Sequence, residues 1–99
     1  MNMQKLMMEA QKMQAKLQKE QVELENSIYE GTSSLVTVTM NGKKEVKSVK
    51  INIEEDLTKD DIEMLEDMIM VAVNDAVKKS DADKEKRLGK YSQGLTGLM

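Results

Sequence analysis

Residues 2–26 contain no glycine and no proline, and nearly all of them are strong helix formers. Apolar side chains recur at Met3, Leu6, Ala10, Met13, Leu17 and Leu24, an a/d heptad pattern interrupted at Glu20. Met8, Ala15 and Val22 form a second stripe on another face. At about 1.5 Å per residue such a helix is about 38 Å long, whereas a compact domain of about 100 residues has a radius of gyration near 13 Å. The helix must cross the whole domain or project from it. Its two stripes predict packing on two sides, against its own sheet and against a second subunit.

After Asn26 the pattern changes. Ile28-Tyr29-Glu30 reads as a first strand, closed by Gly31-Thr32-Ser33-Ser34. Leu35 to Met40 reads as a second, rich in β-branched residues. Asn41-Gly42 carries the signature of a type I′ hairpin turn. On the return strand Val46, Val49, Ile51 and Ile53 alternate with Lys47, Lys50 and Asn52. The step from Val46 to Val49 breaks the period of two and predicts a bulge. An antiparallel sheet with one buried and one wet face is expected.

A second helix starts at Thr58, with Asp61 placed to complete a capping box. Ile62, Leu65, Ile69, Ala72, Val73, Ala76 and Val77 give it one apolar face. The sequence fits either a continuous run to Leu88 or a fresh short helix capped by Ser80 and Asp83. Gly89 reads as a helix stop, and residues 91–99, with Gly94 and Gly97 and no periodicity, read as a flexible tail. The expected class is α+β: helix, three-stranded antiparallel sheet, long helix (α-β-β-β-α), with residues 1–90 forming a single domain.

Charge is sorted along this order. Residues 2–19 carry Lys5, Lys12, Lys16 and Lys19 against Glu9 alone. Residues 78–90 carry Lys78, Lys79, Lys84, Lys86, Arg87 and Lys90 against Asp81, Asp83 and Glu85. From Glu54 to Asp75 there are nine acids and one lysine. A chain of net charge −3 thus concentrates positive charge at its two helical ends, and a polyanion responds to the local field.

With no cysteine and no histidine, disulfides, thiolate nucleophiles, histidine bases and the usual zinc or haem sites are excluded. Carboxylates, lysine and tyrosine remain, and no catalytic constellation of them appears; an enzyme, a cofactor and a small-molecule substrate are not expected. The acids Glu54, Glu55, Asp56, Asp60 and Asp61 lack the spacing of a calcium loop, so no metal is expected either. No apolar run approaches the roughly 20 residues that span a bilayer, and the N-terminus is polar and periodic. The expectation is a soluble cytoplasmic protein with no membrane partner.

Three segments in the same order resemble one family. Residues Met3 to Gln14 are similar to the Met/Gln/Lys-rich first helix of the YbaB/EbfC nucleoid-associated proteins. Gly31, Leu35-Val36, Val38 and Asn41-Gly42 resemble that family's sheet segment, and Asp61 to Asp67 with Asn74-Asp75-Ala76 its second helix. The resemblance covers residues 2–90. It implies an intertwined homodimer with protruding, tweezer-like helices, associated with the bacterial nucleoid. It further implies binding to duplex DNA with little sequence preference, alteration of DNA conformation or compaction, and effects on gene expression. The chain departs from the family pattern in lacking a glycine-rich start and a Pro/Phe-containing tail.

With that resemblance, Lys5, Lys12, Lys16 and Lys19 of the first helix and Lys84, Lys86, Arg87 and Lys90 of the second become the expected DNA-binding residues. Lys5, Lys12 and Lys19 repeat at seven and share one face. Their placement near the helix start, with Glu20, Glu23 and Glu25 near its end, opposes the helix dipole. Local stability does not explain that order; a phosphate partner would. Lys43, Lys44, Lys47 and Lys50 read as solvated edge protection. One arginine and two tyrosines leave little for base readout. The alternative is a helical adaptor or holdase that grips partner proteins through its Met-rich stripes.

Overall fold

The computed structural model describes residues 2–96, with the side chains of Lys90 and of residues 92–96 outside that description. Helix α1 (Met3–Asn26) is followed by strands β1 (Ile28–Ser33), β2 (Val36–Asn41) and β3 (Val46–Ile51), then by helix α2 (Ile62–Thr96). The strands form one antiparallel sheet in the order β1-β2-β3. This is the α-β-β-β-α order read from the sequence. The molecule is elongated, with a radius of gyration of 20.1 Å and extents of 72 × 23 × 14 Å. Helix α1 accordingly projects, and Leu24 is its one buried residue.

Caps fix both ends of α1. The Asn2 side chain accepts from the Gln4 N–H at 3.0 Å. At the other end the Ser27 hydroxyl donates to the Glu23 carbonyl at 2.7 Å, and the Ser27 N–H to that of Leu24 at 3.2 Å. These local bonds turn the chain from helix into strand in a single residue.

Two glycines set how closely the layers approach. Gly31 is not part of a turn, as its neighbours suggested, but lies within β1 opposite Val38. A Cβ there would stand 2.0 Å from the Ala72 carbonyl oxygen and 2.5 Å from the Ala76 nitrogen. Only a glycine facing alanines lets strand and helix backbones meet at that distance. The chain reverses instead at Ser34 and Leu35, with Ser34 in the left-handed region at φ 48°.

Gly42 sits in the expected hairpin, but the turn is not type I′, which needs positive φ at both central residues. No glycine has positive φ among the described residues, and Lys44 takes that role at φ 65°. Lys44 N–H donates to the Asn41 carbonyl at 3.0 Å, and the Asn41 side chain accepts from the N–H groups of Lys43 (2.9 Å) and Glu45 (3.0 Å). Asn41 thus organises a three-residue loop ending in a left-handed residue. The glycine serves packing, because a Cβ on Gly42 would stand 1.8 Å from the Leu24 carbonyl oxygen.

The predicted bulge is present. Thr39 pairs with Ser48 and Met40 with Val46, which leaves Lys47 as the extra residue of β3. Val36, Val38 and Met40 are fully buried on one face of β2, where α2 crosses with Leu65, Ala72, Met68, Ile69 and Val73. Their cross-strand partners Ile51, Val49 and Val46 continue that apolar face onto β3. There the cover ends: α2 packs on β1 and β2, and all six residues of β3 are exposed in the single chain. The buried face expected for β3 is therefore absent from the single chain.

Asp61 accepts from the Thr58 N–H at 2.9 Å and from its hydroxyl at 3.1 Å, ahead of a 3-10 turn at Lys59–Asp61 that leads into α2. Helix α2 then runs unbroken past Ser80 and Gly89 to Thr96. Ser80 cannot cap a new helix because it points inward and is buried. Gly89 does not stop α2, and Tyr91 beyond it still lies beside α1. Of the residues assigned from sequence to a tail, 91–96 continue α2 and 97–99 lie outside the described residues.

Candidate nucleic-acid interface

The C-terminal half of α2 runs antiparallel along α1. Arg87 meets Glu20 and Glu23, and nearer the free end Tyr91 shares a groove with Glu9, Lys12, Met13 and Lys16. The start of α1 and the end of α2, which carry the two basic clusters, therefore belong to one arm standing off the sheet.

Lys5, Lys12, Lys16, Lys19, Lys84 and Lys86 are all exposed. The salt bridges of the described residues engage Lys44, Lys79 and Arg87 and leave those six to solvent. On α1 the four lysines fall within one sector of the helix, bordering the groove that Tyr91 also lines. Lys84 and Lys86 do not share a face, since two residues advance a helix by about 200°. Lys84 lines a recess with Gln21, Leu24, Glu25 and the hairpin residues Gly42, Lys43 and Lys44. Lys44 itself is bonded to Asp81 of α2, which pins the hairpin. The Lys90 side chain lies outside the described residues.

Arg87 differs from the lysines. Its Nε donates to Asp83 Oδ2 at 2.9 Å, and its Nη1 lies 3.5 Å from Glu23 Oε2 and 3.8 Å from Glu20 Oε2. Asp83 also accepts from the hydroxyl of Tyr29 on β1. The Tyr29 hydroxyl, the Arg87 guanidinium and the Lys86 charge hold the Asp83 carboxyl below its usual range, against the opposing effect of burial. Burial, and then the hydrogen bond to Asp83, push the Tyr29 phenol up. One network so joins α1, β1 and α2. Sequence reasoning missed its members Glu20, Glu23, Asp83 and Tyr29; the dipole-opposing order of charge in α1 was a signal for Glu20 and Glu23, and no local pattern marked Asp83 or Tyr29.

A second set of polar contacts closes the β1 edge. Asp75 accepts from the Thr32 N–H at 3.0 Å and pairs with Lys79 at 3.2 Å, while Lys79 donates to the Glu30 carbonyl at 2.8 Å. The backbone bond from Thr32, then the contact with Lys79, lowers the Asp75 pKa. Helix α2 covers one sheet edge with charge and leaves the other, β3, open. Among the described residues no cluster of acidic side chains is arranged to hold a metal ion, and no helix is long and apolar enough to cross a membrane.

Comparison with known proteins places this geometry. The sequence profile of the YbaB/EbfC DNA-binding family matches residues 1–95. A nucleoid-associated protein of Chloroflexus aurantiacus is 45% identical over 99% of this chain and 99% of its own length. One from Clostridium botulinum is 46% identical over 97% of this chain and 86% of the relative. Another, from Ligilactobacillus salivarius, is 38% identical over 99% and 95%.

Proposed function

The chain belongs to the YbaB/EbfC DNA-binding family, and from that premise we propose that it is a nucleoid-associated protein that grips duplex DNA between paired basic arms and alters its conformation. The carrying observation is the arm itself: four exposed lysines on one sector of α1, none engaged by a carboxylate among the described residues, on a helix that stands clear of the sheet. Lys86 and Lys90 at the end of α2 extend the contact, and Lys84 reaches phosphate from the hairpin side. Lysines act there as point charges on the phosphate backbone.

Low sequence specificity follows from what the arm lacks. Arg87 is engaged by three carboxylates, Tyr29 donates to Asp83, and Tyr91 is partly buried where it lines the groove between the helices. None of them is poised to fork onto guanine or to stack on a base. Preference among sites then reflects DNA shape and flexibility, and any effect on gene expression follows from DNA conformation.

The working unit of this reading is a homodimer. The apolar face that α2 covers on β2 continues uncovered onto Val46, Val49 and Ile51, and a second copy laid on β3 would complete it. Two such protomers present two arms, which gives the tweezer arrangement. The four lysines of α1 alone predict that log K falls with log salt at a slope of about −3.6 for one arm and about −7 for two, and each further phosphate contact from Lys84, Lys86 or Lys90 steepens it by about 0.9. Changing Lys5, Lys12, Lys16 and Lys19 to Glu together is expected to abolish the gel shift of random duplex DNA with the circular dichroism spectrum unchanged. Retention of the shift would place the contact elsewhere.

A second reading draws on Met3, Met7, Met8 and Met13, all more than half exposed on the arm. A holdase would use them to grip unfolded clients. Suppression of client aggregation by a chain that does not shift DNA would favour it.

A further inference from the structure

We propose that Tyr29, Asp83, Arg87 and Glu23 form a positioning clamp that sets the angle of the arm on the sheet, and that Arg87 acts there instead of on phosphate. The inference rests on the DNA-gripping reading for its consequence, but its structural part stands apart from that reading.

Little else holds the arm. Of the whole of α1 only Leu24 is buried, and Met3, Leu6, Met7, Met8 and Met13 remain exposed. Apolar contact fixes the root of α1 and does little for its direction. The next contact along the arm is Arg87, which sits between Glu23 and Glu20 of α1 and Asp83 of its own helix. Asp83 is in turn bonded to Tyr29 of β1, the one strand that this network reaches. The chain of contacts therefore runs from sheet to α2 to α1.

Isolated surface ion pairs contribute little, and their number is a poor argument. Here one planar guanidinium is shared by carboxylates from two helices, and these side chains are only partly exposed: Arg87 31%, Glu20 25%, Asp83 26% and Glu23 50%. A fork with fixed geometry restrains direction as well as distance, which a lysine at this position would not do. The same engagement turns Nε and Nη1 toward carboxylates, and their negative charge opposes a phosphate at Arg87.

The chain has no native cysteine, so labels can be placed at will. Spin labels at Gln11→Cys on α1 and Lys50→Cys on β3 report the arm-to-sheet distance within one protomer when the labelled chain is diluted in excess unlabelled protein. Tyr29→Phe, Glu23→Gln and Arg87→Gln are compared with Lys12→Gln. The clamp predicts a broadened distance distribution for the first three and an unchanged one for Lys12→Gln. It also predicts weaker DNA binding for all four, with the salt slope preserved in the first three and reduced by about 0.9 per arm in Lys12→Gln. Tyr29→Phe is the decisive variant, because it removes one hydroxyl that cannot meet phosphate through this network. Unchanged distances in Tyr29→Phe and Arg87→Gln overturn the clamp. A salt slope lowered by Arg87→Gln alone also overturns it and returns Arg87 to the phosphate contacts. Broadened distances in a protein that binds no DNA would sustain the clamp and sink the DNA reading.

Discussion

Arg87 Nη1 lies 3.5 Å from Glu23 Oε2, on a helix 64 residues earlier in the chain. The contact explains an order of charge that local helix physics opposes. Acids at the end of α1 face the negative pole of its dipole, at a cost of about 0.3–1 kcal/mol each. Glu20 and Glu23 find opposite charge in the guanidinium of α2, a tertiary contact that offsets part of that opposition. Glu25 has no such contact with Arg87 and lines the recess at the hairpin instead.

The network should be sensitive to acid. Tyr29, and after it Arg87, keep the Asp83 carboxyl below the ordinary aspartate range in the folded chain. A depressed folded pKa contributes stability that is fully present above the unfolded value of about 3.9 and is lost as pH falls through the folded value. Stability measured by denaturant midpoint should therefore decline below about pH 4. Asp83→Asn should flatten that decline, and Tyr29→Phe should move the Asp83 titration upward when followed by carboxyl NMR. An Asp83 titration unaltered by loss of the Tyr29 hydroxyl would contradict the assigned cause.

Opposite outcomes are expected for one substitution at two glycines. Gly42→Ala puts a methyl 1.8 Å from a backbone oxygen of α1, which cannot yield as a flexible side chain would. A destabilisation of about 1–3 kcal/mol follows, as for overpacking elsewhere. At Gly89 the nearest atom to the new methyl is 3.9 Å away, on the flexible Glu85 side chain, and the residue lies within α2. Gly89→Ala should stabilise by about 0.5–1 kcal/mol through helix propensity. Chemical denaturation of the two variants decides both signs.

The order of elements was legible because each segment has its own period: heptads in α1, alternation in β3, and the apolar face of α2. The bulge at Lys47 could be read from spacing alone. What could not be read is proximity. Gly31 and Gly42 look like turn residues in sequence, yet each is required by a backbone from another element, which no local pattern encodes. Arg87 belonged by composition to a basic cluster, and only the fold brings Glu20 and Glu23 to it. The helix stop expected at Gly89 fails because glycine permits termination without forcing it. The sector shared by the four lysines of α1 and the separation of Lys84 from Lys86 both follow from helix spacing, whereas the recess that Lys84 helps to line needed the position of the hairpin.

The exposed face of β3 gives a prediction of opposite consequence for a lone chain and for a pair. Val49 and Ile51 are 46% and 38% exposed in the single chain. In a lone chain, lysine at these positions behaves as a surface substitution, within about 0.5 kcal/mol of neutral. Under a second copy the same lysines would be buried without partners, at a cost of several kcal/mol, roughly that of an unpaired charge in an interface. The double variant Val49→Lys, Ile51→Lys should therefore sediment at half the mass of the parent and lose the dependence of its melting temperature on protein concentration. Ser48→Lys, on the other face of the same strand beside Thr39, should leave the mass unchanged. If the parent itself sediments as a monomer, the covered face is wrong, and the tweezer reading fails with it. If Ser48→Lys dissociates the pair and Val49→Lys, Ile51→Lys does not, the second copy sits on the opposite face, away from α2.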